Sequence, residues 1–140
     1  MIGISFSTEF IDDGKGVIQV ARGKVSGTEI IDGSLEIQHF QERTGTLRYG
    51  LVDLTDVSHL DITTENILRI VQTNVITSKL SPSSVVAIVA SKDFTYGIAR
   101  MWESFAVETG WKTKIFRKRD EAEIWLRDTL GSKTTEISSK

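Results

Sequence analysis

Short hydrophobic blocks alternate with polar segments along the chain, and their spacing predicts nine elements of secondary structure. Apolar and polar residues alternate over residues 3–10, and a short apolar run covers residues 17–21. The turn-forming residues between them include Asp12, Asp13 and Gly14. We therefore expect the first two strands to form an antiparallel hairpin.

Three further runs have the character of strands. Residues 47–54 and 85–90 are apolar blocks typical of strands buried on both faces of a parallel sheet. Residues 111–116 alternate lysines with other residues. Lysines of this kind commonly protect an edge strand from pairing with other chains.

Helical periodicity follows each of these strands. Apolar residues recur at helical spacing over residues 63–79 and again over residues 94–109, where Gly110 suits a left-handed C-cap. The last helix is expected to begin with a carboxylate cap at Asp120. The residues expected to be buried by this helix are Ala122, Trp125, Leu126 and Leu130.

Residues 26–42 allow two interpretations. Ser26 and Glu29 have the spacing of a capping box, which predicts a helix. Asp32 and Gly33, however, suit the turn of a hairpin, and glycine inside a helix costs about 1 kcal/mol. We favour the helix because the cap is well placed and a parallel successor strand requires a crossover connection.

The resulting order is β-β-α-β-α-β-α-β-α, an α/β fold with one mixed sheet. An N-terminal antiparallel hairpin is followed by parallel strands, and four helices pack on the sheet. The length of 140 residues supports one domain. We assign residues 1–131 to that domain and expect residues 132–140 to form a polar, frayed tail.

Composition narrows the functional classes. The chain has no cysteine, which excludes a thiol nucleophile and cysteine-ligated metal. A formal net charge of −2 argues against nucleic-acid binding. No apolar run is long enough to span a bilayer, and the N-terminus lacks the pattern of a signal peptide. We therefore expect a cytoplasmic protein without a membrane span.

The strongest candidate site follows the strand at residues 47–54. In open α/β sheets, ligands and partners meet the loops at the carboxyl ends of strands. This strand is the third in the chain, β3, and we expect residues 56–64 after it to form such a loop. We call residues 56–64 the β3 segment. Its candidate binding or regulatory residues are Asp56, Ser58, His59, Asp61, Thr63 and Thr64.

Catalytic motifs are absent from the sequence. Carboxylates near the β3 segment could bind Mg²⁺ or act as acid and base, but turn and cap roles explain most of them more simply. His39 and His59 lack the spacing of a metal site. Phosphate-binding glycine loops and a Gly-x-Ser-x-Gly elbow do not occur. We predict a non-enzymatic protein with no catalytic residue, metal or cofactor.

Two other clusters stand out. Gly97 lies near the start of a predicted helix, between Tyr96 and Arg100. Either it packs tightly against a strand, or these three residues belong to a ligand cleft. A basic cluster is explained most simply as the solvated face of an edge strand. Its members are Lys112, Lys114, Arg117, Lys118 and Arg119.

Several short phrases carry a family resemblance. They are Gly23-Lys24-Val25-Ser26-Gly27, Leu51-Val52-Asp53-Leu54-Thr55-Asp56-Val57 with Leu60-Asp61, Tyr96-Gly97-Ile98-Ala99-Arg100-Met101, and Ile115-Phe116-Arg117 with Glu121-Ala122 and Trp125-Leu126. With these phrases the chain resembles small bacterial SpoIIAA-like proteins, relatives of the STAS domain of anti-sigma-factor antagonists, also described as STAS/Sec14-like. The resemblance implies the same fold and a regulatory module whose β3 segment meets a protein partner.

In the antagonist members, an Asp-Ser-Ser-Gly motif carries a phosphorylated serine. This chain has Asp61-Ile62-Thr63-Thr64 at the corresponding positions, so Thr63 stands at the acceptor position while Ile62 and Thr64 depart from the motif. We favour a helix cap over a phosphorylation switch.

The Sec14-type relatives imply an alternative, a protein that binds an apolar small molecule or lipid in a cleft beneath the helix at residues 94–109. A high content of aromatic residues also predicts a homodimer, with some of these residues in the contact. They are Phe94, Trp102, Phe105, Trp111 and Trp125.

Overall fold

Five strands form one mixed sheet in the computed structural model, which describes residues 4–131. The strands are β1 (Phe6–Ile11), β2 (Gly16–Ser26), β3 (Tyr49–Asp61), β4 (Val85–Val89) and β5 (Lys112–Phe116). They lie side by side in chain order. β1 pairs with β2 antiparallel, and every other pair is parallel. The predicted hairpin and parallel sheet are both confirmed.

Four α-helices cover the two faces of this sheet. They are α1 (Gly27–Thr44), α2 (Thr64–Leu80), α3 (Asp93–Phe105) and α4 (Arg119–Leu130), and short 3-10 turns occupy Asp12–Gly14 and Ala106–Thr109. On β4, Ala87 packs towards α4, while its neighbour Ile88 packs towards α3. Since successive residues of a strand point to opposite faces, α4 covers one face and the layer of α1, α2 and α3 covers the other. The predicted order of elements is confirmed.

The capping box of α1 is present. The Ser26 hydroxyl accepts a hydrogen bond from the Glu29 backbone at 3.2 Å, and the Glu29 carboxylate accepts one from the Ser26 backbone at 3.0 Å. Gly45, with φ 65°, ends the helix in the left-handed conformation. The helical interpretation of this segment is therefore correct, and the hairpin alternative is wrong.

Gly33 lies inside α1 because the helix approaches the sheet closely there. A Cβ at this position would lie 2.4 Å from the Phe6 ring and 2.9 Å from Gln19 Nε2. A larger residue would require the Phe6 and Gln19 side chains, or α1 itself, to move. The cost of a glycine within the helix is thus offset by contact between α1 and the sheet.

The largest difference from the prediction concerns the β3 segment, which is mostly strand and not loop. β3 continues to Asp61 because β2 also continues, to Ser26, and the two extensions pair with each other. Irregularities at residues 20–22 and 23–24 interrupt the pairing, and Gly23 supports one of them with φ 67°. These bulges break the two-residue alternation from which a strand is recognised in sequence.

Smaller differences occur near the C-terminal half. The predicted carboxylate cap of α4 at Asp120 is wrong, since Lys118 occupies the N-cap and contributes no side-chain cap. The predicted helix at 94–109 ends at Phe105 and continues as a 3-10 turn, after which Gly110 has the expected left-handed φ of 71°. Residues 132–140, predicted to be a tail, lie outside the described residues.

Within residues 4–131, none of the helices combines the length and the hydrophobicity that a bilayer span requires.

The pKa of Glu29 is lowered from its ordinary value of 4.5, first by a hydrogen bond from the Ser5 hydroxyl and then by one from the Ser26 backbone. A lowered folded-state pKa stabilises the protein above the ordinary value, and the stabilisation is lost as the pH falls through the folded value. Glu29→Gln should therefore lower Tm near pH 7, and the difference from wild type should shrink below about pH 4.5.

Thermal unfolding followed by circular dichroism at several pH values tests this expectation. Glu36 is exposed on the same helix, so Glu36→Gln serves as the control and should leave Tm nearly unchanged. A Tm difference for Glu29→Gln that stays constant down to pH 3 would contradict the assignment.

Candidate functional site

A cavity of about 140 Å³ lies between the sheet and the layer of α1, α2 and α3. Two rows of side chains, in register across β2, β3 and β4, form its floor. The rows are Val17–Gly50–Val86 and Gln19–Val52–Ile88. The cavity therefore lies over the centre of the sheet.

The roof comes from the inward faces of the three helices. Residues that contribute to it are Ile30 and Ile37 of α1, Ile67 and Ile70 of α2, and Ile98 and Trp102 of α3. None of the described residues that line the cavity is charged. The interior thus offers an apolar, uncharged environment.

One central position of the floor is a glycine, against which Val17 packs closely: a Cβ at Gly50 would lie 3.2 Å from Val17 Cγ1. Gly50 lies between Val17 and Val86 and contributes no side chain to the row. Val86 is only half-buried, although it lies in a central strand, whereas Val85 on the opposite face of the same strand is buried. The sheet is therefore fully packed towards α4 and incompletely packed towards α1–α3.

Hydrogen bonds fix the helix layer around this space. Trp102 Nε1 donates to Asn74 Oδ1 at 2.9 Å and joins α3 to α2. Trp111 Nε1 donates to the Ser81 carbonyl at 2.9 Å and joins the start of β5 to the end of α2. Because indole only donates, the first bond also fixes the orientation of the Asn74 amide. Both tryptophans line the cavity.

The β3 segment forms part of one wall of the cavity. Its Leu60 and Ile62 line the cavity, while His59 and Asp61 are exposed to solvent. Asp56, Ser58, Thr63 and Thr64 are exposed as well. All six predicted residues are therefore exposed, and none of them lines the cavity.

Thr63 is the N-cap of α2. Its hydroxyl accepts from the Asn66 backbone at 3.0 Å, and Asn66 Oδ1 accepts from the Thr63 backbone at 3.0 Å, which completes a capping box. Thr63 thus has the structural role that we favoured from the sequence. Its role in partner binding stays a prediction.

One edge of the β3 segment is open among residues 4–131. β4 pairs with β3 only as far as Asp53, so beyond that residue β3 has a strand neighbour on the β2 side alone. The first carbonyl of the open edge, that of Thr55, accepts a hydrogen bond from Lys92 Nζ at 2.6 Å. Beyond this point, no described strand pairs with that edge of β3.

The structure does not bring Tyr96, Gly97 and Arg100 to the cavity. Gly97 is exposed, and a Cβ there would meet nothing within 4 Å, so tight packing does not explain this glycine. Tyr96 lies beneath the Arg117 guanidinium, and Arg100 lies 3.6 Å from Glu103 at the surface. Other residues of α3 line the cavity, and a ligand cleft beneath this helix stays a prediction.

Those α3 residues are Ile98, Ala99 and Trp102. Their helical spacing on the apolar face was visible in the sequence, since they recur at i, i+1 and i+4. We missed them because we assigned the site to the polar residues of this helix. The sequence signal for the cavity was therefore the apolar face itself.

Sequence analysis also missed a buried ion pair. Asp53 is buried and accepts from the Thr55 backbone at 2.9 Å, and one of its oxygens lies 3.2 Å from Arg119 Nη1. Arg119 Nε also lies 2.9 Å from Glu123. Asp53 and Arg119 thus link β3 to α4.

Among residues 4–131, no group of three or more acidic or histidine side chains is arranged to hold a metal ion.

Several of the aromatic residues behind the homodimer prediction are accounted for within the chain. Trp102 and Trp111 line the cavity, and Trp125 packs against the α4-facing core. Phe94 and Phe105 remain exposed on α3. The homodimer stays a prediction that these two phenylalanines support.

Comparison with known proteins bears on the fold. No model of a protein family and no curated protein matches the chain. One similar solved structure is an uncharacterized protein from Shewanella loihica PV-4, described as a member of the DUF3478 family with a SpoIIAA-like fold. The TM-score is 0.55 at 18% identity, and the match covers 89% of this chain and 93% of the other. The chain therefore has a SpoIIAA-like fold, as the resemblance in its sequence implied.

Proposed function

We propose that this protein binds a small, uncharged, largely apolar molecule in the cavity between the sheet and α1–α3. The observation that supports this function best is the cavity of about 140 Å³ with its uncharged lining. Protein interiors contain few voids larger than a water molecule. At about 24 cal/mol per Å³, an unfilled cavity of this size costs the fold about 3 kcal/mol. A bound apolar molecule recovers part of that free energy.

Size and charge restrict the ligand. A cavity of about 150 Å³ in another protein accommodates benzene, so the space here suits a single ring or a similarly small molecule. A carboxylate or phosphate would lose its hydration without gaining a charged partner in the lining. We therefore favour a small neutral molecule over a phospholipid.

The lining also supports a non-enzymatic role. Acid–base catalysis requires a positioned proton donor or acceptor, most often histidine, a carboxylate or lysine. None of these residue types is among those that line the cavity. The proposed function is accordingly that of a carrier or a sensor of its ligand.

Toluene should bind the wild-type protein, because it is neutral and of the right size. Isothermal titration calorimetry measures the affinity, and quenching of tryptophan fluorescence reports occupancy because Trp102 and Trp111 line the cavity. Benzoate carries the same ring with a charge and should bind at least about tenfold more weakly. Absence of saturable toluene binding would contradict the proposed function.

A matched pair of substitutions on β4 tests whether the space is accessible to side chains. Val86→Phe places a ring in the cavity, so it should change stability by less than about 1 kcal/mol and abolish toluene binding. Val85→Phe points towards the packed α4 side and should cost about 1–3 kcal/mol while toluene still binds.

Urea unfolding of both variants, together with toluene titrations, distinguishes the two faces. Equal destabilisation by Val86→Phe and Val85→Phe would show that the cavity does not accept a ring.

A second candidate function is a regulatory module whose β3 segment contacts a protein partner. The open edge of β3 favours it, because an extended peptide from a partner can add to such an edge as a further strand. Six exposed polar residues of the segment would then contribute specificity. The resemblance to STAS domains supports the same proposal.

Substitutions at Thr63 test this second candidate without removing the cap. Serine and aspartate both cap helices well, so Thr63→Ser and Thr63→Asp should each keep Tm within about 2 °C of wild type. If a partner contacts the hydroxyl, Thr63→Asp should weaken the interaction and Thr63→Ser should retain it. Pull-down from native lysate followed by mass spectrometry compares the three proteins. Identical partner sets would leave Thr63 as a helix cap alone.

A further inference from the structure

One polar side chain in the floor of the cavity has a hydrogen-bonding atom without a partner. Gln19 lies on β2 and is only 6% exposed. Its Nε2 donates to Thr8 Oγ1 at 3.1 Å. Within residues 4–131, its other amide atom, Oε1, makes no hydrogen bond, and it is not among the fully enclosed side-chain atoms without a partner, so a water-sized molecule can reach it. Gln19 itself is among the residues that line the cavity.

The strand register and the hydrogen bond of Nε2 together indicate on which side of Gln19 the free oxygen lies. Thr8 lies opposite Gln19 on β1, and Val52 lies opposite Gln19 on β3. Since the two amide atoms diverge from one carbon, an Nε2 directed towards Thr8 turns Oε1 towards Val52. Val52 lies in the floor of the cavity. We therefore expect the free acceptor on the side of Gln19 that adjoins the cavity floor.

Polar atoms inside a protein are normally hydrogen-bonded, because an unpaired one is destabilising. Gln41, another buried glutamine of this chain, avoids that cost. Its Nε2 donates to the Leu80 carbonyl at 3.0 Å, and its Oε1 accepts from the Leu47 backbone at 2.9 Å. The chain thus satisfies both ends of a structural glutamine, whereas Gln19 keeps one end free at the cavity.

Neighbouring polar groups do not satisfy Gln19. The Ser34 hydroxyl also lines the cavity, but it donates to the Ile31 carbonyl at 2.9 Å. Asn74 is bonded to Trp102 at the α2–α3 side. The amide oxygen is therefore available to a molecule in the cavity.

We propose that the ligand is a neutral, ring-sized molecule with one hydroxyl or N–H group, which donates a hydrogen bond to Gln19 Oε1. This inference rests on the proposed function and adds the chemical class of the ligand. Phenols, indoles and small alicyclic alcohols belong to this class. Their apolar part fills the space between Val52, Val86 and the helices, and their single donor pairs the free acceptor. Fully apolar molecules of the same size leave Gln19 unpaired.

Three probes of nearly the same size separate the contributions of shape and hydrogen bonding. Toluene has neither donor nor acceptor, phenol has a hydroxyl, and anisole has an oxygen acceptor without a donor. Each is titrated by calorimetry into wild type and into Gln19→Met, which keeps the length of the side chain and removes the amide. In each protein we take the ratio of the phenol affinity to the toluene affinity. Comparing this ratio between wild type and Gln19→Met removes effects of the substitution on cavity shape, because these affect both probes.

Gln19→Met should lower the affinity for phenol about three- to tenfold and leave the affinities for toluene and anisole within about twofold of wild type. Gln41→Met is the matched control, because Gln41 lies outside the cavity lining. It should lower Tm and keep the phenol-to-toluene ratio of wild type.

The outcomes separate this inference from the function on which it rests. Toluene binding with an unchanged phenol-to-toluene ratio in Gln19→Met overturns the hydrogen bond and leaves apolar ligand binding intact. A selective loss of anisole instead of phenol overturns the donor assignment, since it means that the amide nitrogen faces the ligand. Absence of binding by all three probes to wild type overturns both proposals.

Discussion

The distance between the sheet and the layer of α1–α3 is fixed at its margins, and the cavity depends on this constraint. At the β1 side, Gly33 allows α1 to contact Phe6 and Gln19 directly. At the far side, the indoles of Trp102 and Trp111 are hydrogen-bonded to α2 and its C-terminal end. These contacts lie at the edges of the helix layer, and the cavity lies over the central row Val17–Gly50–Val86. The layer between the sheet and α1–α3 is close-packed at its edges and incompletely filled at its centre. This arrangement forms a cavity that no polar sequence motif marks.

The elements of the fold were largely readable from the sequence, because their signals are local. Hydrophobic periodicity identified the helices and the central strands, and Ser26 with Glu29 identified the start of α1. The extension of β3 was not readable, since bulges near Gly23 shift the register and conceal the alternation. A capping signal depends on four consecutive residues, whereas a bulge is defined only by the partner strand.

The cavity was less readable than the fold because its lining is assembled across the sheet. Gly50 belongs to the cavity floor only because the pairing of β3 with β2 and β4 places Val17 and Val86 beside it. Likewise, the ion pair of Asp53 with Arg119 joins residues 66 positions apart. The sequence suggested a cleft beneath α3 through the family resemblance, but it directed attention to the polar residues of that helix. Long-range register decides which apolar residues leave space between them.

At the end of β3, neighbouring residues face either the cavity or the solvent-exposed surface. Leu60 faces the cavity, and its neighbours His59 and Asp61 face solvent on the same short length of backbone. A molecule that displaces Leu60 from below also moves these two side chains. By thermodynamic reciprocity, a partner that holds His59 and Asp61 in the displaced position would tighten ligand binding by the same factor as the ligand tightens partner binding. In such a coupling, three consecutive residues of one strand would connect the cavity to a partner site on the surface.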